Sequence, residues 1–321
     1  MEAKKHQTEF NILKKLALLL GTNVRNRRVN IPEKYGKGYC EGFIFNEHIR
    51  MLILNYELKE DLVVENPDIN LKEKMVLFKF QNSIPQNEIM STGKPLKAMP
   101  SVLIATSNMN TQVLIPIDTS PASINIEVDA NYLKKLFDLS VKSPALQSLL
   151  NNTQPLLFEQ MIYPSLQKIV TEIVTEEIDE GFKLFFLRIK AEELVCRLLM
   201  ELEKRDERLL YPINSMDIQV IYKIKQQMLD HLETPPVIGE LATIANMSPT
   251  KLKHLFKQIF GNSIFNYYQG FRMKEAMRLL KDEKLSVTET GSRLGFSNLS
   301  HFSRVFKEHI GMKPKKWSMS V

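Results

Sequence analysis

The last third of this chain contains the same pattern twice. Leu252-Lys253-His254-Leu255-Phe256-Lys257 returns fifty residues later as Phe302-Ser303-Arg304-Val305-Phe306-Lys307, and Gly261 returns as Gly311. Upstream the offset is forty-nine: Glu240 matches Glu289, Ala242 matches Gly291 and Ala245 matches Leu294. One extra residue therefore belongs in the turn of the second copy. Duplication of one supersecondary unit constrains the fold more tightly than composition does.

Each copy has the parts of a helix-turn-helix. In the first, Ile238, Leu241 and Ile244 form a short apolar stripe, and Ala242 permits a close helix crossing. Ser248 is a good N-cap, followed by Pro249 at the first helical position. Leu252, Leu255, Phe256 and Ile259 face inward. In the second, Val287 and Leu294 supply the stripe and Gly295-Phe296-Ser297 the turn, with Phe302, Val305, Phe306 and Ile310 inward. A helix starting near Ser263 joins the copies. Its Gly270 costs about 1 kcal/mol against Ala, which predicts a close packing contact there.

A helix fits the DNA major groove, and the next accessible face of that groove lies about 34 Å along the axis. Two units on one chain can meet this spacing if a rigid spacer separates them. A joining helix of roughly nineteen residues extends about 28 Å, the right scale. Charge points the same way. Residues 215–321 hold 16 Lys+Arg against 9 Asp+Glu, whereas the other 214 residues hold 27 against 28. All of the basic excess lies in the duplicated third, as expected of a polyanion-binding region.

The run from Glu240-Leu241-Ala242 through Met247-Ser248, Lys251-Leu252, Leu255-Phe256-Lys257, Gly261-Asn262-Ser263, Tyr267, Arg272 and Ala276 resembles the DNA-binding domain of the AraC/XylS transcription regulators. The resemblance continues through Leu279-Leu280, Gly295-Phe296-Ser297, Ser300-His301-Phe302-Ser303-Arg304-Val305-Phe306-Lys307, Gly311 and Pro314, about a hundred residues with spacings intact. The chain departs from the family pattern at Thr290 and Gly291, where an aliphatic residue and Ala are usual. It departs again at Trp317-Ser318, where an aromatic residue and Arg are usual. Carried over by position, the resemblance implies base contacts from Thr250, Lys253 and His254 in the first unit, and from Asn298, Ser300, His301 and Arg304 in the second. Lys251, Lys257, Lys307, Lys313, Lys315 and Lys316 then read as phosphate contacts that position without specifying.

The preceding residues are of another kind. Ile49–Tyr56, Met75–Phe80 and Val113–Ile117 read as short strands separated by turn residues, as in an antiparallel barrel or sandwich. Before them, Phe10, Leu13, Leu16 and Leu20 recur at helical spacing, and from Asn131 onward helices follow. The expected class is α+β: a β-barrel or sandwich with helices, then an all-α region of two helix-turn-helix units. The expected division is a β-rich sensing domain at 1–180, a dimerisation helix and linker at 181–214, and the DNA-binding domain at 215–321. Leu187, Ala191, Leu194, Leu198 and Leu202 follow an i, i+4, i+7 pattern. Either they pack on their own barrel or they form a homodimer surface.

The family resemblance implies a cupin-like sensor at the front. Tyr39, Phe43, Phe45, Tyr56 and Phe78 then read either as contacts to a small-molecule effector in a barrel interior or as plain core. RNA polymerase is a further candidate partner. A metal-dependent cupin enzyme needs clustered ligands, and only His6 and His48 precede residue 231, so neither metal nor other cofactor is expected. No phosphate-binding glycine loop, G-x-S-x-G elbow or H-E-x-x-H motif occurs. Two well-separated cysteines, Cys40 and Cys196, and no apolar run of membrane-spanning length fit a reduced, cytoplasmic protein. The expectation is thus a transcription regulator and not an enzyme. Its rivals are a DNA-binding protein whose front domain only dimerises or binds a protein, and a cupin-type enzyme fused to a DNA module.

Overall fold

The computed structural model describes residues 11–59, 74–84, 100–107, 122–137, 143–205, 210–211 and 213–319. The chain divides into two compact units, Met1–Ile213 and Asn214–Val321. The α+β class stands, with the sheet in the first unit and helices alone among the described residues of the second.

In the first unit, β1 (Arg28–Asn30), β2 (Gly36–Ile44), β3 (Ile49–Leu58), β4 (Met75–Gln81), β5 (Ser101–Thr106), β6 (Ala122–Asp129) and β7 (Leu157–Met161) form one sheet among the described residues. Its order is β1-β2-β3-β6-β4-β5-β7 and every pairing is antiparallel. Strand expectations at 49–56 and 75–80 fall within β3 and β4; Val113–Ile117 lies outside the described residues.

Side chains alternate across each strand. One face presents Met51, Phe78, Ile104, Ile124, Ile126 and Phe158 to the helices α2 (Ala130–Leu136), α3 (Pro144–Asn151), α4 (Pro164–Thr175) and α5 (Glu180–Glu203). Each such side chain, fully buried, contributes about 1.5–3 kcal/mol. On the other face α1 (Asn11–Leu19) and the following Leu20 pack over Leu52, Leu54 and Tyr56 of β3. Its Leu13 and Leu16 are inward as their spacing predicts, whereas Phe10 lies outside the described residues.

Local chemistry sets the helix ends. Ser143 caps α3 with Pro144 at its first position, and Asn152 ends it in the left-handed conformation. The buried Asn152 side chain then ties three segments together. Its Nδ2 donates to the Met75 carbonyl (3.0 Å), and its Oδ1 accepts from the Ser107 amide (3.2 Å). Burial pushes the Cys40 thiol up to about 12, so it is an inert core group.

Two expectations are corrected here. Leu187, Ala191, Leu194, Leu198 and Leu202 are all buried in the unit's own core, so they form no dimer surface. The outward side of α5 carries Phe182, Phe185, Ile189 and Met200, exposed by 68%, 66%, 46% and 61%. Nor do the five aromatic effector residues line one cavity. Phe43 and Phe78 are core residues on the helix-covered face, with Tyr39 and Phe45 packed against them. Tyr56 lies on the opposite face.

In the second unit, α6 (Ser215–Asp230) precedes α7 (Ile238–Ile244), α8 (Pro249–Phe260), α9 (Ile264–Lys281), α10 (Val287–Arg293), α11 (Leu299–Ile310) and α12 (Pro314–Met319). The long α9 buries Tyr267, Tyr268, Phe271, Arg272, Ala276 and Leu280 at the centre.

Candidate nucleic-acid interface

α7 and α8 form the first helix-turn-helix, and α10 and α11 the second. The first helices start forty-nine residues apart (Ile238 and Val287), the second helices fifty (Pro249 and Leu299). The extra residue lies in the second turn, as the repeat offsets require.

In the first unit, Leu241 and Ala242 are buried, and the chain turns through Asn246 at φ 50°. Asn tolerates that left-handed geometry better than other non-Gly residues. The Ser248 hydroxyl accepts from the Lys251 amide (3.2 Å), with Pro249 opening α8. Leu252, Leu255, Phe256 and Ile259 then point inward. Thr250, Lys253, His254 and Lys257 are exposed and recur at i, i+3, i+4 and i+7, one polar face of α8. Ile244, expected inward, is instead 46% exposed.

In the second unit, Ser286 and Glu289 form a reciprocal capping box at the start of α10. Gly295 turns the chain at φ 73°. Phe302, Val305 and Phe306 point inward from α11, and Ser300, His301 and Arg304 are exposed. Arg304 lies 3.9 Å from Glu308, with both side chains at least 65% exposed, a weak restraint on its reach.

Two predicted contact residues have other employment. Asn298 caps α11, its Oδ1 accepting from the Ser300 and His301 amides at 2.8 and 3.1 Å. That oxygen is unavailable to a base edge while the cap holds. Lys251 pairs with Asp217 of α6 at 2.9 Å, which draws its charge back toward the unit. Lys257, Lys307, Lys313, Lys315 and Lys316 are exposed.

α9 joins the two helix-turn-helix pairs. Its 18 residues extend about 27 Å at ~1.5 Å per residue. Gly270 does not serve a close contact, since a Cβ there would meet nothing within 4 Å. Arg272 and Gly295 serve instead. The Arg272 Nε donates to the Leu294 carbonyl (2.9 Å), Nη2 donates to the same oxygen, and the guanidinium lies 3.8 Å from the centroid of Phe296. Tyr268, one turn earlier, donates its hydroxyl to the Leu232 carbonyl (2.6 Å). A Cβ on Gly295 would fall 2.0 Å from the Glu233 carbonyl oxygen. The second turn is therefore seated on the backbone that leads into the first unit, with α9 pinning both sides. Farther along, Glu283 accepts from Arg278 (2.7 Å) and Arg293 (2.8 Å), tying the end of α9 to α10.

Sequence reasoning missed this junction. Its available signals were an Arg four residues after a Tyr on a helix, and an aromatic residue directly after the turn glycine. Among the described residues, no helix is long and apolar enough to cross a membrane, and no three His, Cys, Asp or Glu side chains are grouped as a metal site requires.

Residues 241–320 match a protein-family model described as a helix-turn-helix domain. The chain is 34% identical over 95 residues to the HTH-type transcriptional regulator GbdR of Pseudomonas aeruginosa, covering 30% of this chain and 26% of that protein. It is 30% identical over 121 residues to the arabinose operon regulatory protein of Escherichia coli, covering 37% and 40%. Among solved structures, it is similar to the C-terminal domain of AraT, a response regulator from Geobacillus stearothermophilus. That likeness has 26% identity and a TM-score of 0.30, covering 31% of this chain and 83% of that one. The chain thus spans less than half the length of each of these relatives.

Proposed function

We propose that this chain, whose C-terminal unit is a helix-turn-helix domain of the AraC type, is a sequence-specific DNA-binding transcription regulator. The observation that supports the reading is the pair of exposed polar helix faces on α8 and α11, joined through the long α9 and its pinned junction. Thr250, Lys253 and His254 face one major-groove segment. Ser300, His301 and Arg304 face the next, with Asn298 positioning them as a cap. Arg304 is suited to a bidentate contact with a guanine edge. Lys257, Lys307, Lys313, Lys315 and Lys316 neutralise phosphates and set the salt dependence.

The N-terminal unit senses a small effector, and the protein acts as a binding protein and not an enzyme. Ligand shifts DNA binding only as far as it prefers one state of the protein over another. Homodimerisation uses the outward side of α5. Phe182, Phe185, Ile189, Cys196 and Met200 recur there close to a heptad seam, flanked by the pairs Arg188–Glu192 and Arg197–Glu193. Phe185→Glu should convert a dimer to a monomer in sedimentation; an unchanged sedimentation coefficient removes this face from the assembly.

Selection of genomic fragments by the full chain tests the central claim, the expected product being two short motifs about one helical turn apart. On the selected site, Arg304→Ala should lose ~1–3 kcal/mol of discrimination at one base position, roughly 5- to 150-fold. Lys315→Ala should weaken binding to all sequences alike and flatten the salt slope. Equal loss on selected and random DNA for Arg304→Ala would show that it positions and does not read.

A further inference from the structure

The sheet face turned away from α2–α5 holds buried polar side chains. Register aligns Leu52, Asn125, Lys79, Leu103 and Glu159 in one row across β3, β6, β4, β5 and β7. Ser123 stands two residues before Asn125 on the same strand and the same face. Asn125, Lys79, Glu159 and Ser123 are 3%, 5%, 4% and 2% exposed. On the opposite face these strands carry Ile124, Ile126, Phe78 and Ile104, a conventional apolar core.

A one-sided antiparallel sheet turns its polar face to water, where every group finds a partner. Here the polar face is shut off from water, so its hydrogen bonds must be supplied from within. Lys79 and Glu159 have interaction partners. Both amide atoms of Asn125 and the hydroxyl of Ser123 have none among the described residues. They sit on β6, the middle strand of seven, where neither edge pairing nor a turn calls for Asn. Leu or Val there would pack as Leu52 and Leu103 do.

The geometry points to Asn125 and Ser123 as the binding groups for a small uncharged molecule bearing hydroxyl or carboxamide groups, held over the centre of the sheet. The capacity left over is neutral and two-sided: an amide that donates and accepts beside a hydroxyl that does both. An ionised ligand would bring a charge into a buried face whose cation and anion are already engaged, a costly transfer. This gives a place and a class to the effector of the reading above, and it rests on that reading.

The test is calorimetric melting of the full chain. The single tryptophan, Trp317, lies in the C-terminal unit, so its fluorescence separates that unit's transition from the other. Without ligand, Asn125→Leu should melt its N-terminal unit at or above the wild-type temperature, because an orphaned polar group is replaced by an apolar one. Millimolar glucose, mannitol or nicotinamide should include a compound that raises the wild-type transition but not that of Asn125→Leu. Gluconate and nicotinate, the charged counterparts, should move neither.

A lowered transition or failed folding of ligand-free Asn125→Leu overturns the proposal by making the residue structural. Ser123→Ala, a smaller change, repeats the measurement and should follow the same pattern. A probe that shifts wild type and variant equally overturns the site. A shift by the charged counterparts, or none by any neutral probe, overturns the ligand class. A deproteinised cell extract separates this from the broader reading. If it raises both proteins equally, the site is wrong and effector binding stands; if it moves neither, effector binding itself is rejected along with the site.

Discussion

The two helix-turn-helix units descend from one pattern yet are held in place by different physics. Asn246 and Gly295 are equivalent positions, and both adopt left-handed backbone at φ 50° and 73°. In the first unit that residue is exposed, and a short polar side chain suffices. In the second its Cα abuts the Glu233 backbone, and only glycine fits. Leu241 is buried in the first supporting helix; its counterpart in the second is Thr290, equally buried and polar. The first unit is thus secured by apolar packing. The second is secured by backbone contact and the Arg272 clamp, which allows its supporting helix to be poorer.

The largest effect should come from forcing the second turn to resemble the first. Gly295→Ala combines left-handed strain with a collision against Glu233, roughly 3–5 kcal/mol in total. Gly295→Asn removes most of the strain, as Asn246 shows, and isolates the collision. Urea unfolding followed by Trp317 fluorescence measures both. If Gly295→Asn is as stable as wild type, the close seat on Glu233 does not exist. Asn246→Gly in the same assay should change stability by well under ~1 kcal/mol.

Arg272→Leu should come next, at about 2–3 kcal/mol, since it leaves the buried Leu294 carbonyl without its donors and Phe296 without its stacked cation. Lys at this position lacks the planar fork and should restore little. The comparison predicts asymmetry: footprints of Arg272→Leu should lose protection over the second half-site first. Equal loss over both would show that the clamp supports the whole unit and not one copy.

Much of this interface was legible in the sequence because it depends on local chemistry. The Ser248-Pro249 start follows from adjacent residues, and the matched Gly261 and Gly311 are the left-handed ends of α8 and α11. Arg272 to Leu294 spans 22 positions, and Glu233 to Gly295 many more, so no periodicity announces either contact. The base contact at Asn298 is what the family resemblance implies, whereas its capping role depends on where α11 begins. In the N-terminal unit both sheet faces are buried, so the polar–apolar alternation of Ser123-Ile124-Asn125-Ile126 does not separate buried from exposed positions. Tyr39, Phe43, Phe45 and Phe78 therefore read as a cavity lining when they are core, and α5 hid its exposed apolar side behind its buried one.

A stabilising change sharpens the comparison from the other direction. Thr290 is fully buried, and its hydroxyl has no partner. Thr290→Val keeps the branched shape and removes the unmet hydrogen bond, so it should stabilise the C-terminal unit by about 1 kcal/mol. The gain would move the second supporting helix toward the apolar character of Leu241. A loss in the urea midpoint would mean that the hydroxyl is satisfied in solution, and the contrast between the copies would shrink accordingly.

The smallest effect concerns acid. The Ser286 hydroxyl and amide hold the Glu289 carboxyl below the usual carboxylate range, through the capping box of α10. A carboxylate depressed in the folded state stabilises fully above its unfolded value, and the contribution disappears as pH falls through its folded value. The helix N-terminus favours the same ionised form. Glu283, lowered by Arg278, has the same sign, so the informative quantity is a difference between proteins. Glu289→Gln retains an acceptor but cannot titrate. The gap in urea midpoint between wild type and Glu289→Gln should be widest near neutrality and close as pH falls below the ordinary carboxylate range. A gap independent of pH would make the box a matter of hydrogen-bond geometry alone. No equivalent box exists in the first unit, where Val237 begins α7 without a side-chain cap. Acid should therefore loosen the second copy before the first, a difference that hydrogen exchange of the α7 and α10 amides resolves.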